Sequence, residues 1–63
     1  MTAIITNKTS TIKTFTNAKF FVADERIISE LEKINNLKDV YVNFSMGGTF
    51  PVSGKDYLET WKK

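Results

Sequence analysis

The sequence predicts one small α+β domain: an antiparallel sheet of four to five strands, one main helix packed on it and a short C-terminal helix, in the order β-ββ-α-ββ-α. Three observations carry this expectation. Residues 11–23 and 40–53 are rich in β-branched and aromatic residues and are interrupted by turn signals, and a run of apolar residues at helical spacing lies between them. At 63 residues one domain, spanning 1–63, is the only reasonable count. With 41% hydrophobic residues a thin single core can form, and chains this small gain from a partner or from self-association.

Residues 2–11 are threonine-rich around the apolar cluster Ala3 to Ile5. A short edge strand is expected within residues 1–10, with a loose arm as the alternative. From Thr11 to Ala23 the pattern predicts a hairpin turning at Asn17-Ala18, which would set Phe15 opposite Phe20 and Thr14 opposite Phe21. Asn17 tolerates a left-handed conformation, whereas Ala18, where glycine is preferred, costs on the order of 1 kcal/mol.

Asp24 can cap a helix whose apolar face is Ile27, Ile28, Leu31, Ile34 and Leu37, with Glu25 at its positive end and Lys33 and Lys38 at its negative end. About three turns are expected, stopping near Asn35-Asn36. A second hairpin follows from Val40–Ser45 and Thr49–Ser53 around Met46-Gly47-Gly48. An odd loop sets Phe44 against Phe50 and Val42 against Val52, keeping the apolar residues on one side. Pro51 lacks an N–H, which makes the last strand an edge and favours a loop of about five residues over one of three. Ser53-Gly54-Lys55-Asp56 has the form of a capping box, and Tyr57, Leu58 and Trp61 continue as a short helix.

The chain has no cysteine and no histidine. Disulfides, thiolate chemistry, the cysteine-bearing metal sites and the commonest general base are therefore excluded. Net charge is +2, unevenly spread. Residues 1–23 hold Lys8, Lys13 and Lys19 and no acid, whereas residues 24–39 hold Asp24, Glu25, Glu30, Glu32 and Asp39 against Arg26, Lys33 and Lys38. Met1 to Asn7 offers no apolar run of the kind an export signal needs, and no stretch approaches the roughly 20 apolar residues of a membrane span. A cytoplasmic protein is the expectation, and the sequons at Asn7 and Asn43 carry no weight in it.

Motifs that carry chemistry fail on inspection. Gly48 to Asp56 reads GTFPVSGKD, but five residues instead of four separate Gly48 from Gly54, and Asp56 stands where a phosphate loop needs a hydroxyl. Ser10-Thr11-Ile12-Lys13 fits S-x-x-K without the further motifs that nucleophile requires. Glu30 and Glu32 are two apart on the helix and do not lie side by side. Asp24, Glu25 and Asp56 serve better as helix-end charges than as metal ligands. No catalytic residue, cofactor or metal is expected.

What remains is surface. Phe20 and Phe21 are adjacent in the expected strand and so point to opposite faces, of which the main helix covers one. Phe21, Ile12 and Thr14 would share the second face, with Tyr41 extending the stripe. The terminal helix is expected to fold over it through Tyr57, Leu58 and Trp61; otherwise the stripe is a contact site. The favoured reading is a non-enzymatic protein-binding module: a small regulator, inhibitor or adaptor of the kind phages and mobile elements carry. Its candidate contact residues are Phe21, Tyr41, Tyr57 and Trp61, and its partner is an unidentified protein or a second copy, with an edge strand open to augmentation. The alternative is a small nucleic-acid-binding protein using Lys8, Lys13, Lys19, Lys62 and Lys63.

One local resemblance bears on that alternative. Gly48-Thr49-Phe50-Pro51-Val52-Ser53 with Tyr57-Leu58 resembles the closing strand and helix of LytTR-type DNA-binding domains. It covers about a dozen residues, the chain has no counterpart of that family's basic middle segment, and no site residue is transferred by it.

Overall fold

The chain is described by a computed structural model over residues 1–8, 10–19, 22–45 and 49–62. Its elements run β1 (Thr2–Asn7), β2 (Ser10–Phe15), α1 (Glu25–Glu32), β3 (Val40–Ser45), β4 (Thr49–Ser53) and α2 (Gly54–Trp61). The four strands form one sheet in the order β2-β1-β3-β4, every neighbouring pair antiparallel. The α+β class expected from the sequence holds, and the described residues form four strands.

The first hairpin forms one element earlier than expected. β1 pairs with β2 from Ala3↔Phe15 to Asn7↔Ser10, with Lys8 in the left-handed region at φ 56. Phe15 is therefore opposite Ala3 and Thr14 opposite Ile4, not Phe20 and Phe21, which lie outside the described residues. Asn17 is left-handed as anticipated, at φ 54, but a type I′ hairpin needs a positive φ at both central positions, and Ala18 does not show one. Ala18 instead donates its N–H to the Met1 carbonyl at 2.7 Å and leads toward α1. The residues of 2–7 make a full central strand because Ala3 and Ile5 alternate with outward Ile4 and Thr6, the period-2 pattern of a sheet with one buried face. A bulge between Ile5 and Thr6 adds Ile12 to β2.

α1 is two turns long, not three. Asp24 caps it, its side chain accepting from the Arg26 N–H. At the other end Lys33 and Ile34 donate to the carbonyls three residues back, Glu30 and Leu31, which tightens and stops the helix before Asn35. Ile34 and Leu37 still pack against the core from the irregular segment that follows.

β3 and β4 pair as Val42↔Val52 and Phe44↔Phe50, the register expected from the apolar residues. Pairing continues to Ser45↔Thr49, so three residues connect the strands where about five were expected. β4, with Pro51, is an edge. Ser53 precedes α2 but makes no side-chain capping bond, so the capping box is not formed. Close approach governs that junction instead: a Cβ on Gly54 would lie 3.1 Å from Leu31 Cδ2, 3.2 Å from Val40 Cγ1 and 3.3 Å from the Val40 carbonyl. Only glycine lets α2 start so near α1 and β3 without displacing them.

The core lies on one side of the sheet. Ala3, Ile5, Phe15, Val40, Val42 and Phe44 point there from the strands and meet Ile27 and Leu31 of α1 and Tyr57 of α2. Tyr57 stacks on Phe44 with ring centroids 6.2 Å apart. Both helices are thus on the same face. The expectation that the terminal helix would cover the second face is overturned, because the apolar side of α2 is drawn to the aromatic and aliphatic residues around Phe44 and Val40. No helix among the described residues is long and apolar enough to cross a membrane.

Candidate interaction surface

With both helices on one side, the other side of the sheet is open among the described residues. The registers place its residues in rows across the strands. The central row is Thr14, Ile4, Asn43 and Pro51; toward the first hairpin lie Thr11, Thr6, Tyr41 and Ser53; toward the opposite end lie Thr2 and Ser45. Alternation along each strand is what puts them there, since their neighbours Ala3, Ile5, Phe15, Val42 and Phe44 are buried. Tyr41 is the largest side chain exposed on this face, at 45%.

The face carries no charge. Of all strand residues only Lys13 is ionic, and it stands opposite the buried Ile5, on the helix side of the edge. Hydroxyls, methyls and one amide make up the rest. Asn43 is fixed in place, its Nδ2 donating to the Ile4 carbonyl at 3.2 Å and to Thr6 Oγ1 at 3.1 Å. These bonds tie β3 to β1 and satisfy the amide at the middle of the open surface.

The edges beside this face are less available. β4 carries Pro51, which cannot donate to an added strand, and β2 carries the bulge at Ile12 together with Lys13. A proline, a bulge and an edge lysine are the devices that discourage edge-to-edge pairing. The edge augmentation considered from the sequence is disfavoured on both sides.

Of the aromatic candidates, Tyr41 alone is placed on the open face. Tyr57 is 2% exposed and belongs to the core, and Trp61, half-buried, packs beside it with ring centroids 6.4 Å apart. Phe21 lies outside the described residues. The lysine candidates are dispersed: Lys8 is in the first hairpin turn, Lys13 on β2, Lys19 in the segment before α1, and Lys62 pairs with Glu32 at the far end of the helices. Lys63 lies outside the described residues. Lys8 and Lys38 do share an open depression of about 580 Å³ with Asn7, Ser10, Asn36 and Asp39. Both Lys8 and Asp39 are left-handed there, and the Lys8 N–H donates to the Asp39 carbonyl at 3.2 Å.

A second polar cluster is structural. Asp24, 4% exposed, accepts from the N–H groups of Arg26 and Lys19 and from the Arg26 guanidinium at 3.2 Å, while its own N–H donates to Tyr57 Oη at 3.1 Å. Arg26 also donates to the Asn17 carbonyl and lies over the Phe15 ring. Asp24 and Arg26 together thus join β2, the 17–19 segment, α1 and α2. Burial alone would push the Asp24 carboxyl up, but the Arg26 hydrogen bond, the two backbone N–H groups and the Arg26 charge together hold it below its ordinary range. Burial pushes the Tyr57 hydroxyl up, with the adjacent Asp24 charge in the same direction, against the lowering hydrogen bond from the Asp24 N–H. Among the described residues no three His, Cys, Asp or Glu side chains gather as a metal site.

Sequence reasoning placed Thr14 and Tyr41 on this face, but it expected the terminal helix over it and, with the first hairpin misplaced, missed Thr2, Ile4 and Thr6 beside them. The signal that finds them is the alternation of threonine with Ala3, Ile5 and Phe15. Compared with known proteins, the chain matches no family model, no curated protein and no solved structure.

Proposed function

We propose that this chain is a non-enzymatic protein-binding module, a small cytoplasmic regulator, inhibitor or adaptor of the phage or mobile-element kind, which engages its partner through the open face of the sheet. One observation carries the reading: among the described residues no element covers the second face of a four-stranded sheet, which bears no charge there and carries an exposed tyrosine. Tyrosine supplies large amphipathic contact area at little entropic cost, and low charge with an aromatic anchor is the composition of interface cores.

The second reading, a nucleic-acid binder, is favoured by Lys8 and Lys38 in one depression. It ranks lower because phosphate contact needs cations, and the open face has none.

The test is site-specific photo-crosslinking in nuclease-treated extract of the source cell, with the reactive residue replacing Ser45 on the open face or Glu59 on α2. Adducts to a discrete protein from position 45 and not from position 59 are expected. Adducts from 59 alone would move the contact to the helices. In a parallel extract without nuclease, retention of nucleic acid alone, falling steeply with salt and lost on Lys8→Ala with Lys38→Ala, would replace this reading with the second.

A further inference from the structure

We infer that the occupant of the open face is a second copy of this chain, docked sheet to sheet about a two-fold axis. The inference rests on the protein-binding reading and names the partner.

Charge comes first. A charged partner surface would leave its ions desolvated against a face with nothing to pair them, a poor exchange for any acidic or basic protein, for nucleic acid and for a lipid headgroup layer. The same uncharged face on a second copy meets no ion at all. An isologous contact brings Thr, Ser and Asn groups of one copy to those of the other, and each can donate as well as accept. The charged residues among those described are confined to the helix side, the turns and the helix ends, with none on this face.

Shape comes second. The molecule is a slab, 30 × 28 × 15 Å, with the core on one side of the sheet. Sheets pack about 10 Å apart, aligned within roughly 30°. Two slabs so stacked make a helix-sheet-sheet-helix particle roughly 40 Å thick, with Tyr41 and Ile4 enclosed. With edges blunted by Pro51, the bulge and Lys13, lateral growth of the sheet is opposed, and face-to-face stacking closes as a dimer.

Area sets the strength. Four strands of about six residues present a face of roughly 19 by 20 Å, a planar footprint of about 400 Å². Stable complexes take about 800 Å² of accessible surface from each partner. The dimer is therefore a reversible one that populates with concentration, and it supplies burial that a chain of this size otherwise lacks.

Sedimentation velocity of the purified chain from about 10 µM to about 1 mM tests this, since these concentrations bracket weak association. Mass is expected to rise from monomer toward dimer. Tyr41→Glu and Tyr41→Lys each place like charges in the contact twice and are expected to weaken association at least tenfold, while an equimolar mixture of the two restores it. Ser45→Arg serves as an independent variant, and circular dichroism at low concentration verifies that each one folds. A dimer indifferent to all three substitutions uses another surface and overturns the inference. A monomer at every concentration also overturns it. If position 45 then still crosslinks to a different protein, the protein-binding reading stands and only the identity of the partner was wrong; if it captures nothing, both fail.

Discussion

The two faces of the one sheet are built from alternate residues of the same strands, yet they are different materials. Along β3, Val40, Val42 and Phe44 are buried while Tyr41 and Ser45 are exposed and Asn43 is intermediate. The helix-side face is aliphatic and aromatic, crossed by two helices and fastened at one end by a buried carboxylate. The open face is threonine, serine, asparagine, proline, Ile4 and one tyrosine, covered by no element among the described residues. Stability is concentrated on the first face, which leaves the second free to vary its chemistry without unfolding the domain. That separation is what a binding module needs, and it can be tested by perturbing each face in turn.

The largest effect is expected where α1, α2 and β3 converge. Leu31 is fully buried, and Leu31→Ala should destabilise by about 2–5 kcal/mol, read as a shift in the denaturation midpoint. Gly54→Ala alone should lose about 1–3 kcal/mol, since the added methyl would press on Leu31 and Val40. The double variant should lose less than the sum, because truncating Leu31 removes Cδ2, the nearest atom to the new methyl, at 3.1 Å. Strict additivity would mean that the two residues do not compete for one space.

Much of the core face was legible in the sequence. Ile27 and Leu31 announced the helix by spacing, Asp24 announced its cap, and the pairing of Val42 with Val52 and Phe44 with Phe50 followed from keeping apolar residues together. The open face was legible only in Thr14 and Tyr41, for two physical reasons. Lys8, with no glycine beside it, gives no recognisable turn signal, yet it takes the left-handed conformation while the better candidate Asn17-Ala18 forms no hairpin. And the side to which a short terminal helix folds depends on close packing around Gly54 and Phe44, which no periodicity encodes.

An intermediate effect is expected at the carboxylate that fastens the core face. Asp24→Ala removes a helix cap and leaves the Lys19 and Arg26 N–H groups without their acceptor, which should cost about 1–3 kcal/mol. The Arg26 guanidinium is half exposed and adds little of that through charge alone. Because folding lowers the Asp24 pKa below 3.8, the unfolded chain binds the proton more readily there. Its contribution is present above that pH and is lost as pH falls through the folded value. Asp24→Asn should flatten the acid limb of stability against pH. Tyr57 acts in the opposite direction: its pKa is raised above 10.0, so its contribution is intact below that pH and declines as alkaline pH ionises the unfolded chain first. Tyr57→Phe should remove that decline, while leaving the Asp24 N–H without its acceptor.

The smallest effect on the monomer is expected on the open face, and it is the measurement that separates the two faces most cleanly. Thr14 and Tyr41 are exposed there, so Thr14→Lys or Tyr41→Ala in dilute solution should change stability by no more than about 0.5 kcal/mol. Dilution matters because a partner that binds only the folded chain raises the melting temperature with its own concentration. The native chain should therefore melt higher as it is concentrated, and the variants should not. A variant that lost stability equally at every concentration would show that the open face supports the monomer after all. A concentration dependence confined to the native chain would show the two faces dividing the work, one holding the fold and the other holding the partner.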